Sequence, residues 1–311
     1  MSQTAPGHAV DISVLVCTRN PRPRHLERAI EALRAQTLAP KSWELLLVDN
    51  GSDAPLAARF DLSWHPHARH VREDDAGLVP ARVCGIRESS GKSLVFVDDD
   101  NVLNRDYLER ALQIGAEQPH LGAWGGAVVG EFEETPPDWI HDVRGLLSLR
   151  EVPQNRWTNL PVLKAAPCGV GLVVRRRVAL AYADGVSTRP LRRRLGPRPG
   201  ELTGHDDFDL AFSACDLGLG MGRFTALVAT HLIPPERTDL AYLERMQECT
   251  AYSELLFWSI RSKRPPIPSR LRLFIDHIRS LGLSRVRRRL RRAELAGLKM
   301  ARRDFVQGRF E

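Results

Sequence analysis

Residues 93–101 read SLVFVDDDN: a short apolar run from Ser93 to Val97 that stops abruptly on Asp98, Asp99 and Asp100. A run of that length, apolar at successive positions and so on both faces, predicts a strand buried inside a parallel sheet. Upstream, Pro80 to Glu88 reads as a helix, WELLLV (43–48) as a second strand, and DISVLVC (11–17) as a third. Leu26, Ala29, Ile30 and Leu33 recur at helical spacing between those strands, and Tyr107, Leu108, Ala111 and Leu112 begin another helical face downstream. Strands alternating with helices require crossover connections, which predicts an α/β fold with a mostly parallel sheet flanked by helices. Ligands of such sheets bind beyond the carboxyl ends of the strands. Thr18-Arg19-Asn20, Asp49-Asn50-Gly51 and Asp98-Asp99-Asp100 all fall there, so the fold logic alone predicts that they converge.

Three adjacent carboxylates repel one another, and burial opposes their ionisation further. A divalent cation, Mg²⁺ or Mn²⁺, resolves that conflict with its preference for hard oxygen ligands. Asp98 and Asp100, at i and i+2, point to one side of an extended chain; the plainer alternative is a solvated turn capping the next helix. Asp49 can accept from a nucleobase or ribose, or merely close the turn DNGSD. Arg82 can hold a diphosphate or an acidic loop, or sit in a surface ion pair. GHDDFDL (204–210) sets a second carboxylate group before a helix, where one acid can serve as general base and another as cap. His231, after the apolar ALVA (226–229), is a candidate metal ligand or a structural imidazole.

The 311 residues carry a net charge of +7, which invites a nucleic-acid reading until the charge is located. Residues 261–311 hold 16 Lys and Arg against 4 Asp and Glu, so of the chain's 45 and 38 the first 260 residues keep 29 and 34. A mildly acidic body therefore carries a basic tail. In the tail, Leu283, Val286, Leu290, Ala293, Gly297 and Met300 form one helical stripe among arginines, a pattern for an anionic membrane surface through residues 285–303 or for packing back on the body. Five scattered cysteines, none spaced as CxxC, argue against a disulfide framework and for a reducing, cytoplasmic compartment, where a membrane contact of the tail would fall on the inner face. Gly125-Gly126, Pro136-Pro137 and Arg189–Gly200 are loop signals, and the last, basic and rich in Pro, is a candidate lid.

Taken in order, ISVLVCTRN, WELLLVDNGSD, GLVPARVCGIRESSGKSLVFVDDDN, CGVGLVVRR, GHDDFDLAFS and ATHLIPPER, over residues 11–237, resemble the family 2 glycosyltransferases. That resemblance implies a GT-A, Rossmann-like domain over residues 1–237 with a basic helical extension over 238–311. It implies a nucleotide-diphosphate sugar donor, a sugar or lipid-linked acceptor as in surface polysaccharide or glycolipid synthesis, and Mn²⁺ or Mg²⁺. Thr18, Arg19, Asp49, Arg82, Asp98 and Asp99 would bind the nucleotide sugar; Asp98, Asp100 and His231 would hold the metal. Asp207 would be the catalytic base of an inverting displacement, with Asp206 before it and His205-Asp206 the alternative register. Where the family commonly has Pro-Thr-Tyr-Asn, this chain has Cys17-Thr18-Arg19-Asn20, so an arginine replaces an aromatic stacking surface. A metal-dependent nucleotidyltransferase is the competing enzyme. A nucleic-acid binder acting through the tail leaves the acidic cluster unexplained, so no nucleic-acid partner is expected.

Overall fold

The computed structural model describes residues 10–198, 203–262 and 265–310. The elements are β1 (Ile12–Thr18), α1 (Pro23–Arg34), β2 (Trp43–Asp49), β3 (Ala68–Arg72), α2 (Leu78–Glu88), β4 (Ser93–Val97), β5 (Asn101–Leu103), α3 (Tyr107–Glu117) and β6 (Leu121–Phe132). There follow β7 (Arg156–Thr158), β8 (Leu172–Arg175), α4 (Arg176–Thr188), α5 (Asp206–Asp216), β9 (Gly220–Ile233), α6 (Leu240–Arg261), α7 (Arg270–Ser280) and α8 (Arg285–Val306). They build the expected α/β fold around one sheet, ordered β3-β2-β1-β4-β8-β6-β9-β5, with β7 also paired to β9.

Every residue of β1, β2 and β4 is buried, as their continuous apolar runs require. These strands and β3 run parallel, in the order 3-2-1-4. The order reverses between β1 and β4, and a crevice opens at that point in open parallel sheets. Alternate side chains serve opposite faces. Leu15, Leu46 and Phe96 pack with Val79, Val178, Leu210 and Phe257 beneath α2, α4, α5 and α6. Val14, Leu45 and Val95 pack with Leu26, Leu33 and Leu108 beneath α1 and α3. Truncating one of these, such as Leu15 to alanine, costs about 2–5 kcal/mol in a core of this kind.

The other half of the sheet is mixed. β8 is antiparallel to β4 and β6, and β5 to β9, whereas β6 and β9 are parallel. Gly125-Gly126 is no loop but lies inside β6, at a register shift against β9. A Cβ at Gly126 would stand 1.8 Å from the Leu227 carbonyl oxygen, so the glycine answers a close strand approach rather than a turn. The apolar run Ala226–Ala229 is part of the 14-residue β9.

α6 delivers Leu255, Leu256 and Phe257 into the core shared with α4 and α5. Of the two readings of the stripe, packing on the body is the one seen: its Leu290 and Gly297 are buried, with Leu295 and Ala301 of α8 beside them, and a Cβ at Gly297 would press on the α6 backbone at Glu248. The basic segment after Arg189 is tied to the body over Arg192–Arg194, while its Arg198 lines the cavity described below. Arg192 Nε donates to Asp209 at 2.6 Å, Arg193 pairs with Asp75, and Arg194 donates to the Tyr252 hydroxyl at 2.8 Å. Its end, Pro199-Gly200, lies outside the described residues. No helix among the described residues is long and apolar enough to cross a membrane.

Candidate active site

A cavity of about 800 Å³ opens at the carboxyl ends of β1 and β4, where the strand order reverses. Thr18 and Arg19 reach it from the end of β1, Arg82 from α2, Asp98–Asp100 from the end of β4, and His205–Asp207 from the start of α5. His231 of β9 and Arg237 of the turn after it complete that wall.

Strand pairing explains why the acidic cluster meets His231. After the turn at Asp98–Asp100 the chain enters β5 at once, and Asn101 pairs opposite His231 on β9. Asn101 closes the turn, accepting from the Asp98 amide at 3.2 Å and donating to Asp100 Oδ1 at 2.8 Å. His231 Nδ1 lies 2.9 Å from the Leu147 carbonyl oxygen, which can only accept, so Nδ1 carries the proton. In the neutral ring Nε2 then offers a lone pair, and Arg237 Nη1 donates to it at 2.8 Å. The same guanidinium nitrogen stands 2.9 Å from Asp100 Oδ2. Burial opposes the charge of Asp100, but the Arg237 guanidinium beside it holds its carboxyl below the usual carboxylate range. Asp99, accepting from the Thr18 hydroxyl, is pushed up to about 7 by burial and by Asp100. Asp98 is likewise raised by burial, with Arg82 opposing.

Arg82 is buried between the two acidic groups, 2.5 Å from Asp206 Oδ2 and 3.5 Å from Asp98 Oδ1. Burial opposes its charge, but Asp206, Asp98 and Asp207 hold the guanidinium ionised. Burial pushes the Asp206 carboxyl up despite that partner. Asp207 is different: it is half-buried on the cavity wall. Its Oδ2 accepts from the Gly169 amide and its Oδ1 from the Phe208 amide, each at 2.8 Å, and no cation is paired with it among the described residues. His205, which precedes the pair, has φ of 79°, a left-handed conformation that is uncommon outside glycine and turns the chain sharply into α5. Its ring packs between Phe208 and Phe257, and burial pulls its pKa down to about 4.

One expected residue stands off the cavity lining. Asp49 does not line the cavity; its carboxylate accepts from the Ser52 and Leu56 amides and from Arg72, closing the DNGSD turn. Burial opposes that charge, yet those bonds keep its carboxyl below the usual range. Asn50 lines the cavity instead, and its side chain accepts from the Gly77 amide at 2.7 Å. Gly77 has φ of 139°, a value open to glycine, and starts α2 with Arg82 one turn on. Arg150 and Arg198 also line the cavity, and the Nε of each is buried without a hydrogen-bond partner. Sequence spacing gave no sign of Arg150, whereas Arg198 belongs to the basic segment Arg189–Gly200 read as a candidate lid. Arg237 had a sign: it follows His231 by six residues across Pro234-Pro235, in the segment already matched as ATHLIPPER.

Residues 13–179 match the model of the glycosyl transferase family 2. The chain is 29% identical over 104 residues to the glycosyltransferase AglE of Haloferax volcanii, covering 32% of this chain and 34% of that protein. It is 26% identical over 136 residues to the glucosyl-dolichyl phosphate glucuronosyltransferase of the same organism, covering 42% of this chain and 39% of that one. The chain thus spans about a third to two-fifths of the length of these curated relatives. A crystal structure of TarS residues 1–349 from S. aureus superposes over 96% of this chain and 92% of that one, with 14% identity and a TM-score of 0.49. Asp206, Asp207, His231 and Arg237 lie beyond the stretch matched by the family, whereas Thr18, Arg82 and Asp98–Asp100 lie within it. The matched stretch is more than half of the 311 residues, and the chain belongs to glycosyl transferase family 2.

Proposed function

We propose that this cavity transfers a sugar from a nucleotide-diphosphate donor to an acceptor hydroxyl with inversion at the anomeric carbon, Asp207 acting as general base. The observation that carries the reading is the pairing pattern: of the two adjacent acids at the start of α5, Asp206 is locked to Arg82 while Asp207 faces the cavity without a cation. A base must reach the proton it removes and be ionised to take it. The Gly169 and Phe208 amides hold the Asp207 carboxylate by both oxygens and fix its direction. The acceptor oxygen, losing its proton to Asp207, attacks the anomeric carbon; the bond to the diphosphate breaks, and nucleoside diphosphate leaves. Arg150 and Arg198, each with an unpartnered buried Nε, are the donors offered to that diphosphate. Thr18, Arg19 and Asn50 would line the nucleotide end, with Asp98 and Asp99 toward the sugar and ribose.

Members of the family commonly use a divalent cation. Asp100 Oδ2 and the Nε2 lone pair of His231 lie 3.3 Å apart and converge on a positive charge, that of Arg237. A carboxylate oxygen and an imidazole nitrogen so placed fit Mn²⁺ or Mg²⁺, with Asp98 as the further carboxylate nearby. Among the described residues no group of three or more such side chains surrounds one point, so the donor's phosphates and water would complete the set. A bound cation would offset charge developing on the departing diphosphate.

The acceptor reading rests on one relative, whose name places a dolichyl phosphate in its substrate. A lipid-linked acceptor would bring the reaction to the cytoplasmic face of a membrane. A thermal-shift panel of nucleoside diphosphates and nucleotide sugars, with and without Mn²⁺, tests the donor, since a ligand bound by the native state alone stabilises it. At a hundredfold excess over Kd the gain is about 2.7 kcal/mol. No shift with any nucleoside diphosphate would contradict the reading, and a shift only with triphosphates would favour the nucleotidyltransferase.

A further inference from the structure

The helix α7 turns an apolar face to solvent. Leu271, Phe274, Ile278 and Leu281 recur at helical spacing on one side, 67%, 62%, 50% and 47% exposed. Its opposite side, Leu273, Asp276 and Ser280, is buried, with Asp276 paired to Arg291 of α8. The neighbouring α8 is built differently: its apolar residues are spent against α6, and Val306 at its end is left exposed beside α7. Monomeric proteins seldom show contiguous apolar patches of this kind without a use for them.

The charge around this face has one sign. The carboxylates described after residue 265 are Asp276, Glu294 and Asp304, and each is paired with an arginine. Between α7 and α8 lies a cavity of about 600 Å³ with Leu273, Phe274 and Val306 among its apolar lining and Arg270, Lys299 and Arg302 among its basic lining. Two such faces brought together would oppose like charges, which argues against a second copy as the occupant. A nucleic acid would meet the arginines but leave Leu271, Phe274 and Ile278 in water.

We propose that α7 lies flat on an anionic bilayer surface, its apolar face inserted among the acyl chains and the α7–α8 arginines against lipid phosphates. The helix is about 16 Å long, too short to span and long enough to lie in the interface. Basic residues within a Debye length of about 8 Å of the headgroups add to the attraction and make it sensitive to salt. The proposal concerns where the protein works and holds whatever sugar the cavity transfers.

Flotation of the full chain with phosphatidylcholine vesicles, with and without phosphatidylglycerol, tests it. The full chain is expected to float with phosphatidylglycerol vesicles, to release at high salt, and to stay behind with phosphatidylcholine alone. Phe274→Glu with Ile278→Glu is expected to lower the partition by at least about tenfold, with circular dichroism and thermal unfolding unchanged. Leu271→Ser with Ile278→Ser is the milder variant should the glutamates unsettle α7, and Arg270→Glu with Arg302→Glu should weaken binding to anionic vesicles. Failure of the full chain to float, or flotation of both apolar-face variants like the parent, overturns the proposal. So does a dimer in light scattering that the double glutamate converts to monomer without any vesicle binding.

Discussion

Two acidic clusters face one cavity, and they are neutralised in opposite ways. At the start of α5, Arg82 takes Asp206 and leaves Asp207 held only by amides. At the end of β4 the three acids stay crowded: Arg237 takes Asp100, Asp99 is pushed up to about 7, and Asp98 reaches only the far side of Arg82. The first cluster is resolved by the protein's own cation into one structural and one reachable carboxylate. The second keeps an excess of negative charge, the condition in which a further cation is favoured. Adjacent identical residues therefore differ in chemistry according to which arginine reaches them, and five substitutions probe that contrast.

The largest effect is expected at Asp207. Replacing it with Asn should lower turnover by about a thousandfold or more while leaving donor affinity unchanged, the mark of a lost general base. Asp206→Asn should instead reduce the folded fraction. Equal turnover in Asp207→Asn and the parent would move the base elsewhere. Next comes Arg82→Met, which leaves Asp206 and Asp98 without their shared counter-charge; urea unfolding should show a loss of about 3–5 kcal/mol. Asp100→Asn should weaken donor binding by about tenfold and flatten its response to Mn²⁺, read by calorimetric titration at several metal concentrations. An unaltered Mn²⁺ response there would detach the metal from Asp100.

The smallest effect is one of pH. The folded pKa of His205 is about 4, below the ordinary value of 6.5, so its contribution to stability is complete above about pH 6.5 and lost as the pH falls toward 4. Thermal unfolding between pH 7 and 5 should show the decline, and His205→Asn, a residue tolerant of the left-handed backbone, should lessen it by about 1–2 kcal/mol at pH 5. Identical pH slopes in the two proteins would show that His205 titrates normally.

Much of this was legible in the chain. The buried runs of β1, β2 and β4 follow directly from continuous apolar residues, and their parallel order follows from the helices between them. The three strand-end clusters do reach one side of the sheet, and Asp206-Asp207 joins them. The mixed half was harder, because β6 carries Gly125-Gly126 at a close approach that reads as a loop when the neighbouring strand is unknown. Asp49 was open to two readings because a turn-closing aspartate and a ligand-binding one look alike in sequence; the Ser52, Leu56 and Arg72 contacts show the turn-closing part. Arg150 and Arg198 reach the cavity from irregular segments, where spacing carries no directional information. On α8 the apolar stripe was visible, but sequence gives no account of which neighbour covers it.

The stereochemistry of transfer bears on the central claim most directly. Proton nuclear magnetic resonance of the first glycoside formed from an α-linked nucleotide sugar, with nucleoside diphosphate quantified in the same reaction, reads both the bond broken and the face attacked. A single displacement assisted by Asp207 predicts a β-anomeric product and one nucleoside diphosphate per sugar transferred. A product of retained α configuration, or release of pyrophosphate in place of the nucleoside diphosphate, would contradict it.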